Sequence, residues 1–398
     1  MKFKLANLIF SDSDVMSQYP SLCYRVLEGH ATSASNSSVN IASPSSIDFT
    51  TYFNSLSICK WRKYTIAKRF YLHFEYRGSA CVLQQTYANS YSWSPSLVDC
   101  SDAELCSSDE WESFDLELTP IDGETLHSFR ISTAGPVKLR NAYYYCVCDE
   151  HDVRSVELAL ASTTFKKEDY ILRNLSLLQK YVIDSDELIS KHFHVHVIDN
   201  GRTLDCASLN SSQVTIHPNP NVGGSGGFAR GMIEALEQSP KATHVLLMDD
   251  DVEVLPESFI RTFNLLSLLK DEYVNAFLSG AMMSLEEPEL RTEDLGFFTQ
   301  KGNFSPLKPE GYMTSLHDIV ESEVFQTPSD LYGDTIQQYA GWWFCVIPVT
   351  AIEAYGLPLP LFVRSDDAEY ALRCKPKFMT MNGICVWHNA FKFKYSCC

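Results

Sequence analysis

A change of pattern near Arg154 limits the folds open to this chain more than any other feature. Val156-Glu157-Leu158-Ala159-Leu160-Ala161 is a near-continuous apolar run, as expected of a strand buried on both faces of a parallel sheet. A helical stretch from about Glu168 to Tyr181 follows, with Leu172, Leu175 and Leu178 on one stripe. Phe193-His194-Val195-His196-Val197-Ile198 reads as a second strand and closes in Asp199-Asn200-Gly201. After a glycine-rich turn come a helix from about Phe228 to Glu237 and a third strand, Thr243 to Met248. The alternation predicts an α/β nucleotide-binding core over 151–398, with ligands collecting beyond the carboxyl ends of its strands.

Residues 1–150 read differently. Tyr71-Leu72-His73-Phe74-Glu75-Tyr76 and Ala80-Cys81-Val82-Leu83 are short, aromatic or β-branched, and separated by Gly78, Ser79 and Pro95. Further strands are expected around 113–118, 128–132 and 142–147. This spacing predicts an all-β sandwich, jelly-roll-like, ahead of the α/β part. A chain of 398 residues accommodates two such domains. The Ser-, Ala- and Asn-rich stretch from Ala31 to Ser46 is expected to be a mobile loop.

With 32 Lys+Arg against 50 Asp+Glu, the chain lacks the basic face that a phosphate backbone needs, so nucleic acid is not an expected partner. No apolar run approaches the ~20 residues of a membrane span. Ser11, Asp12 and Asp14 follow Met1 too closely for a signal peptide. Thirteen irregularly spaced cysteines, Cys397 and Cys398 among them, fit reduced thiols better than a disulfide framework. The expected location is cytoplasmic.

The third strand stops at Asp249-Asp250-Asp251. Three successive carboxylates repel one another, and a divalent cation would offset that cost. Alternation along an extended backbone turns Asp249 and Asp251 to one side, where both reach a hard cation that could bridge a nucleotide diphosphate. A solvated acidic turn or helix cap is the competing reading. Asn221-Val222-Gly223-Gly224-Ser225-Gly226-Gly227-Phe228-Ala229-Arg230-Gly231 lets the main chain approach a ligand and present its amides, followed by the positive end of a helix. A flexible hinge would look similar. Asp199 and Asn200 are placed to bond a base or ribose, though Asp-Asn-Gly is also an ordinary turn.

Trp342 and Trp343 are adjacent in a strand-like segment, so one could stack on a sugar while the other packs inward; two core tryptophans are equally compatible. Asp366-Asp367-Ala368-Glu369 follows a Pro-punctuated apolar run. Paired carboxylates suit a general base, because each raises the other's pKa, and they equally suit a helix N-terminus. Val386-Trp387-His388 ends another strand-like segment, and His388 is either structural or a third ligand beside carboxylates.

In this order, Asn200, the Asn221–Gly231 segment, Asp249-Asp250-Asp251, Trp342-Trp343, Asp366-Asp367-Ala368-Glu369 and Trp387-His388 resemble the galactofuranosyltransferases of glycosyltransferase family 2, including the polymerising bacterial enzymes. The likeness spans roughly residues 155–392, and the β-rich region also fits, since those enzymes carry a β-sandwich before a GT-A catalytic domain. The resemblance implies an inverting transfer from UDP-galactofuranose to a hydroxyl of a cell-surface glycan or glycolipid, with Mn²⁺ or Mg²⁺. It assigns Asp249, Asp251 and His388 to the metal and Asp367 to the general base. Asn200, Asn221, Gly223, Gly224, Asp250 and Asp366 fall on the nucleotide-sugar side, and Trp342 and Trp343 shape the sugar pocket. Arg173 falls near the diphosphate without a firm alignment. Polymerising members continue past the histidine with a helical region for membrane association and assembly. This sequence stops at Cys398, so it is either a short relative or a chain whose C-terminus is missing, and the resemblance does not by itself imply processive synthesis or a stable tetramer; peripheral membrane association and a homo-oligomer stay open.

Three alternatives remain. One is a family 2 enzyme using another UDP-sugar. A sugar-1-phosphate nucleotidyltransferase would place a glycine-rich loop after the first core strand, where Thr163-Thr164-Phe165-Lys166-Lys167 stands instead. A carbohydrate-binding protein would rely on aromatics such as Tyr52, Phe53, Trp61 and Tyr64.

Overall fold

The computed structural model describes residues 1–10, 18–35, 37–331 and 333–389. Cys397 and Cys398 lie outside them; no disulfide joins any two of the eleven described cysteines.

The N-terminal part is built of two six-stranded antiparallel sheets. The strands needed below are β1 (Arg25–Glu28), β2 (Ser45–Asp48), β3 (Phe70–Gly78), β4 (Cys81–Ala88), β5 (Ala103–Leu105), β6 (Leu126–Thr133) and β7 (Val137–Val147). In β3 every second side chain from Phe70 to Tyr76 is buried, the period-2 signature of a sheet with one face in a core. Phe74 of β3 stacks on Phe129 of β6 in the other sheet at 6.0 Å, and Phe129 stacks in turn on Phe49 at 4.5 Å. The two sheets thus share one aromatic core.

The stretch expected to be a mobile loop is instead a hairpin, Ala31–Ser35 against Ser38–Ile41, followed by β2. Val39 and Ile41 enter the core, and 38–41 pairs along β7. Thr32 and Asn40 pair across the hairpin on its outward face, an alternation that a composition rich in Ser, Ala and Asn does not distinguish from a polar loop. Tyr52, Phe53, Trp61 and Tyr64 are each 1–2% exposed. They are core residues at the seam with the C-terminal part, where Phe53 meets Trp387 and Tyr64 meets Tyr273. That removes the aromatic surface on which a carbohydrate-binding reading relied.

The C-terminal part begins with β8 (Leu158–Thr164), α1 (Glu168–Leu178), β9 (Phe193–Asp199), β10 (Val214–Pro218), α2 (Gly223–Glu237) and β11 (His244–Asp249). It continues through β12 (Val252–Val254), α3 (Pro256–Ser267), β13 (Phe277–Ser279), β14 (Ala281–Ser284), β15 (Cys345–Pro348), α4 (Asp366–Cys374), β16 (Phe378–Met379) and β17 (Cys385–His388). A seven-stranded sheet runs β10-β9-β8-β11-β15-β13-β16. The first four strands are parallel, and β15 is antiparallel to both neighbours. Every residue of β8 except Thr163 is buried, the both-faces burial that its apolar run predicted. A second sheet contains β12, β17 and β14 side by side. No helix among the described residues is long and apolar enough to cross a membrane.

Candidate functional site

β11 ends in Asp249, and the chain turns through Asp250 and Asp251 into β12. Antiparallel pairing sets Val252 opposite His388, and parallel pairing sets Ser284 beside it, so β17 delivers the histidine directly to the acidic turn. His388 Nε2 lies 3.3 Å from Asp251 Oδ1 and 3.9 Å from Asp249 Oδ2. One ligand atom from each of the three falls within 4.8 Å of the others. The His388 side chain is fully buried, while that of Asp249 is 36% exposed, so the cluster opens to solvent on the aspartate side. His388 Nδ1 donates to the Asn389 carbonyl at 2.7 Å. That bond puts the ring proton on Nδ1 and turns Nε2, the lone-pair nitrogen, toward the carboxylates. Two carboxylates and a neutral imidazole form a donor set suited to Mn²⁺ or Mg²⁺.

Asp250 points elsewhere. Its Oδ2 accepts from the Phe165 N–H at 3.2 Å. Desolvation, with the charge of Asp251 adding, pushes its carboxyl up to about 6. It ties the acidic turn to the end of β8 and stands apart from the cluster.

Asp366 and Asp367 occupy the first turn of α4, after two residues with left-handed backbone, Arg364 (φ 66°) and Ser365 (φ 65°). Asp367 Oδ1 accepts from the Ala368 N–H at 2.7 Å. Desolvation is the larger cause and the charge of Asp366 the next, together raising Asp367 to about 7; Asp249 adds to the shift. Asp366 rises to about 6, again by desolvation first, with Asp249 contributing. The charge of Asp249 thus contributes to the upward shift of both carboxyls.

The glycine run departs from expectation. It is not a turn before a helix but the first turns of α2 itself. Its leading amides are already engaged: Gly223 N–H donates to Asn221 Oδ1 and Gly224 N–H to the Phe362 carbonyl. The glycines serve close packing. A Cβ on Gly223, which has φ +75°, would lie 2.1 Å from the Phe362 carbonyl oxygen, and one on Gly227 would lie 2.1 Å from Thr163. The segment 357–362 is thereby held against α2, with Ser225 Oγ donating to the Leu359 carbonyl at 2.5 Å. Asn200, 5% exposed, braces the same corner: its Nδ2 donates to the Gly223 carbonyl at 3.0 Å and its Oδ1 accepts from Asn219. Asn221 is exposed beside it.

Trp342 and Trp343 lie in a turn just before β15 rather than in a strand, and both are buried, at 5% and 4% exposure, in different parts of the core. Trp342 packs edge-on to Phe228 and Tyr370, and Trp343 Nε1 donates to the Gly280 carbonyl. Neither ring is presented to solvent. Arg173 pairs with Glu253 at 2.6 Å.

Two neighbours were not singled out from the sequence. Lys167 Nζ lies 4.0 Å from Asp251 Oδ2, and a lysine just after a core strand is the only local signal for it. Glu293 is 8% exposed, and desolvation, then the charges of Asp367 and Asp294, raise it to about 8. It follows no motif, and only the fold brings it near Asp367.

Comparison with known proteins bears on the whole chain. Residues 14–147 match the family described as Galactofuranosyltransferase 2 N-terminal. Galactofuranosyltransferase GlfT2 of Mycolicibacterium smegmatis is 28% identical over 382 residues, which cover 92% of this chain and 57% of that protein. GlfT2 of Mycobacterium tuberculosis is 28% identical over 378 residues, with the same shares covered. The chain thus spans a little over half the length of these curated relatives. A mannosyltransferase from Pyrobaculum calidifontis, PcManGT, solved with GDP-Man and Mn²⁺, aligns with 61% of this chain and 60% of its own at 12% identity. Its TM-score of 0.37 is too low to argue from. The resemblance carried by the motifs is therefore matched by similarity to galactofuranosyltransferases along nearly the whole of this chain.

Proposed function

We propose that this chain is an inverting, metal-dependent galactofuranosyltransferase that moves galactofuranose from UDP-galactofuranose to a hydroxyl of a glycan or glycolipid. On this reading 151–398 is a GT-A catalytic domain and 1–150 a β-sandwich domain joined to it. The observation that supports it best is the convergence of Asp249, Asp251 and His388, whose ligand atoms lie within 4.8 Å of one another at or just beyond the carboxyl ends of β11 and β17. Similarity to enzymes of that name supports the choice of donor.

Asp249, Asp251 and His388 would hold Mn²⁺ or Mg²⁺, which when bound supplies positive charge against a diphosphate. Asp367 takes the proton of the acceptor hydroxyl. The hydroxyl oxygen bonds to the anomeric carbon as the bond from that carbon to the phosphate oxygen breaks, and UDP leaves with the electron pair. A base with a pKa near the working pH suits that task. Asn200 shapes the nucleotide corner through Gly223, and Asp366 keeps Asp367 basic by its charge.

UDP release from UDP-galactofuranose in Mn²⁺, with a glycan acceptor present, tests the proposal. Asp367→Asn is expected to lower turnover by roughly 10²–10⁴ while still binding UDP. Asp249→Ala is expected to lose Mn²⁺-dependent UDP binding. Wild-type turnover in Asp367→Asn would remove the base assignment. Pyrophosphate release from UTP and a sugar phosphate would replace the transferase with a nucleotidyltransferase.

A further inference from the structure

The outer face of the second N-terminal sheet carries a cleft that the cation cluster and the carboxylate pair do not use. Strand register lines up Glu28, Ser46, Ser132, Val82 and Glu104 in one row across β1, β2, β6, β4 and β5. Their neighbours Ile47, Ile131 and Leu83 are fully buried between the sheets, so alternation turns the row outward. A cleft of about 600 Å³ opens over it, walled by Pro44, Ala80, Leu105 and Ala134. Four strand spacings of ~4.8 Å make the row roughly 19 Å long. Ser46 and Ser132 hydroxyls lie 3.0 Å apart at its centre. Glu28 and Glu104 are both exposed at its ends, and among the described residues neither forms an ion pair.

We propose that this cleft holds a neutral glycan chain. If the transferase reading above is right, that chain is the non-reacting end of the acceptor. A sugar ring offers an apolar C–H face and a rim of hydroxyls. Val82, Ala80 and Ala134 suit the face, while serine hydroxyls that both donate and accept, and carboxylates that accept strongly, suit the rim. The volume lies within the range of small-ligand sites, with few polar groups in a largely apolar wall. No Lys or Arg lines the cleft, so phosphate, sulfate and uronate ligands would meet only negative charge. A basic peptide would satisfy the two glutamates. Its main chain would find few partners, however, because β2, β6 and β4 already pair with one another through theirs. The cleft has no aromatic lining, so binding should be weak and additive to what the catalytic site provides.

The test is ligand-observed NMR on the full chain in EDTA without nucleotide, using a galactofuranosyl tetrasaccharide and, in parallel, cellotetraose. Wild type is expected to bind the galactofuranosyl chain. Ser132→Trp, which fills the cleft, and Glu28→Gln/Glu104→Gln, which leaves its shape alone, should each weaken binding at least tenfold. The glutamine pair carries the test alone if Ser132→Trp fails to fold. Turnover with a monosaccharide acceptor should be unchanged in either variant, which separates a failure of the cleft from a failure of the transferase reading. Binding of cellotetraose alone would keep the cleft and overturn its acceptor role. Binding of neither glycan, or equal binding by wild type and the glutamine pair, or displacement of the glycan by tetralysine with retention of the peptide in the cleft, would overturn the proposal.

Discussion

At Asp367 desolvation and the negative charge of Asp366 act in the same direction, and together they place the carboxyl at about 7. A base must be unprotonated to act, so turnover should fall as the pH drops through that region. A bound cation would offset the charge of Asp249 and move the inflection downward. A kcat–pH profile in saturating Mn²⁺ reads this directly, and a flat profile from pH 5 to 8 would contradict it. Glu293 gives a stability counterpart. Its folded pKa is raised to about 8 by desolvation first and Asp367 next, against ~4.3 for an unfolded chain. Its contribution is therefore fully present below the unfolded value and is lost as pH rises toward 8. Glu293→Gln should melt at a higher temperature than wild type at pH 8.5, and the two should converge near pH 4. Thermal melts at both pH values check the sign.

Among the elements, α2 shows how one sequence feature can carry a different physical meaning from the obvious one. Four glycines suggest amides offered to a ligand, yet those of Gly223 and Gly224 are taken by Asn221 and Phe362. What the segment requires is proximity, and the requirement differs at adjacent positions. Gly223→Ala would place a Cβ 2.1 Å from a carbonyl oxygen at a φ of +75°, and left-handed strain alone costs about 1–3 kcal/mol. At Gly224 the nearest atom to a new Cβ is Asp366 Oδ2 at 3.6 Å, an ordinary contact. Gly223→Ala should therefore destabilise by at least that strain and shift the 357–362 segment. Gly224→Ala should be tolerated and gain roughly 0.5–1 kcal/mol of helix stability. Urea midpoints of the two variants decide it; equal values would refute the close-approach account.

For the whole molecule, α3 joins the two parts. Glu257 accepts from the Asn7 N–H at 2.7 Å and from its side-chain amide at 2.9 Å. Arg261 pairs with Glu257 and donates to the carbonyls of Asn7 and Phe53, each at 2.8 Å. Both side chains are about 5% exposed. Removing one partner strands the other charge, at a cost of about 3–5 kcal/mol. Arg261→Met should lower the melting temperature and divide a single calorimetric transition into two, since the joint fails before either core. One unbroken transition at the wild-type temperature would show that the pair does not couple the parts.

The sequence by itself located three core strands, expected at 156–161, 193–198 and 243–248 and found at 158–164, 193–199 and 244–249, because short continuous apolar runs bounded by turn residues suit strands buried on both faces of a sheet. It also placed Asp249, Asp251, Asp367 and His388 at strand ends or a helix start, since polar residues that close such runs have nowhere else to go. Only the tertiary structure decided which of these meet. His388 reaches the acidic turn because β17 pairs with β12, a contact between residues more than a hundred positions apart that no local pattern encodes. The same holds for the antiparallel strand β15 lying between β11 and β13, and for both tryptophans being enclosed. The 31–46 hairpin and the cleft over Ser46 and Ser132 depend on strand register, which a polar stretch with period-2 alternation does not fix until its partners are in place.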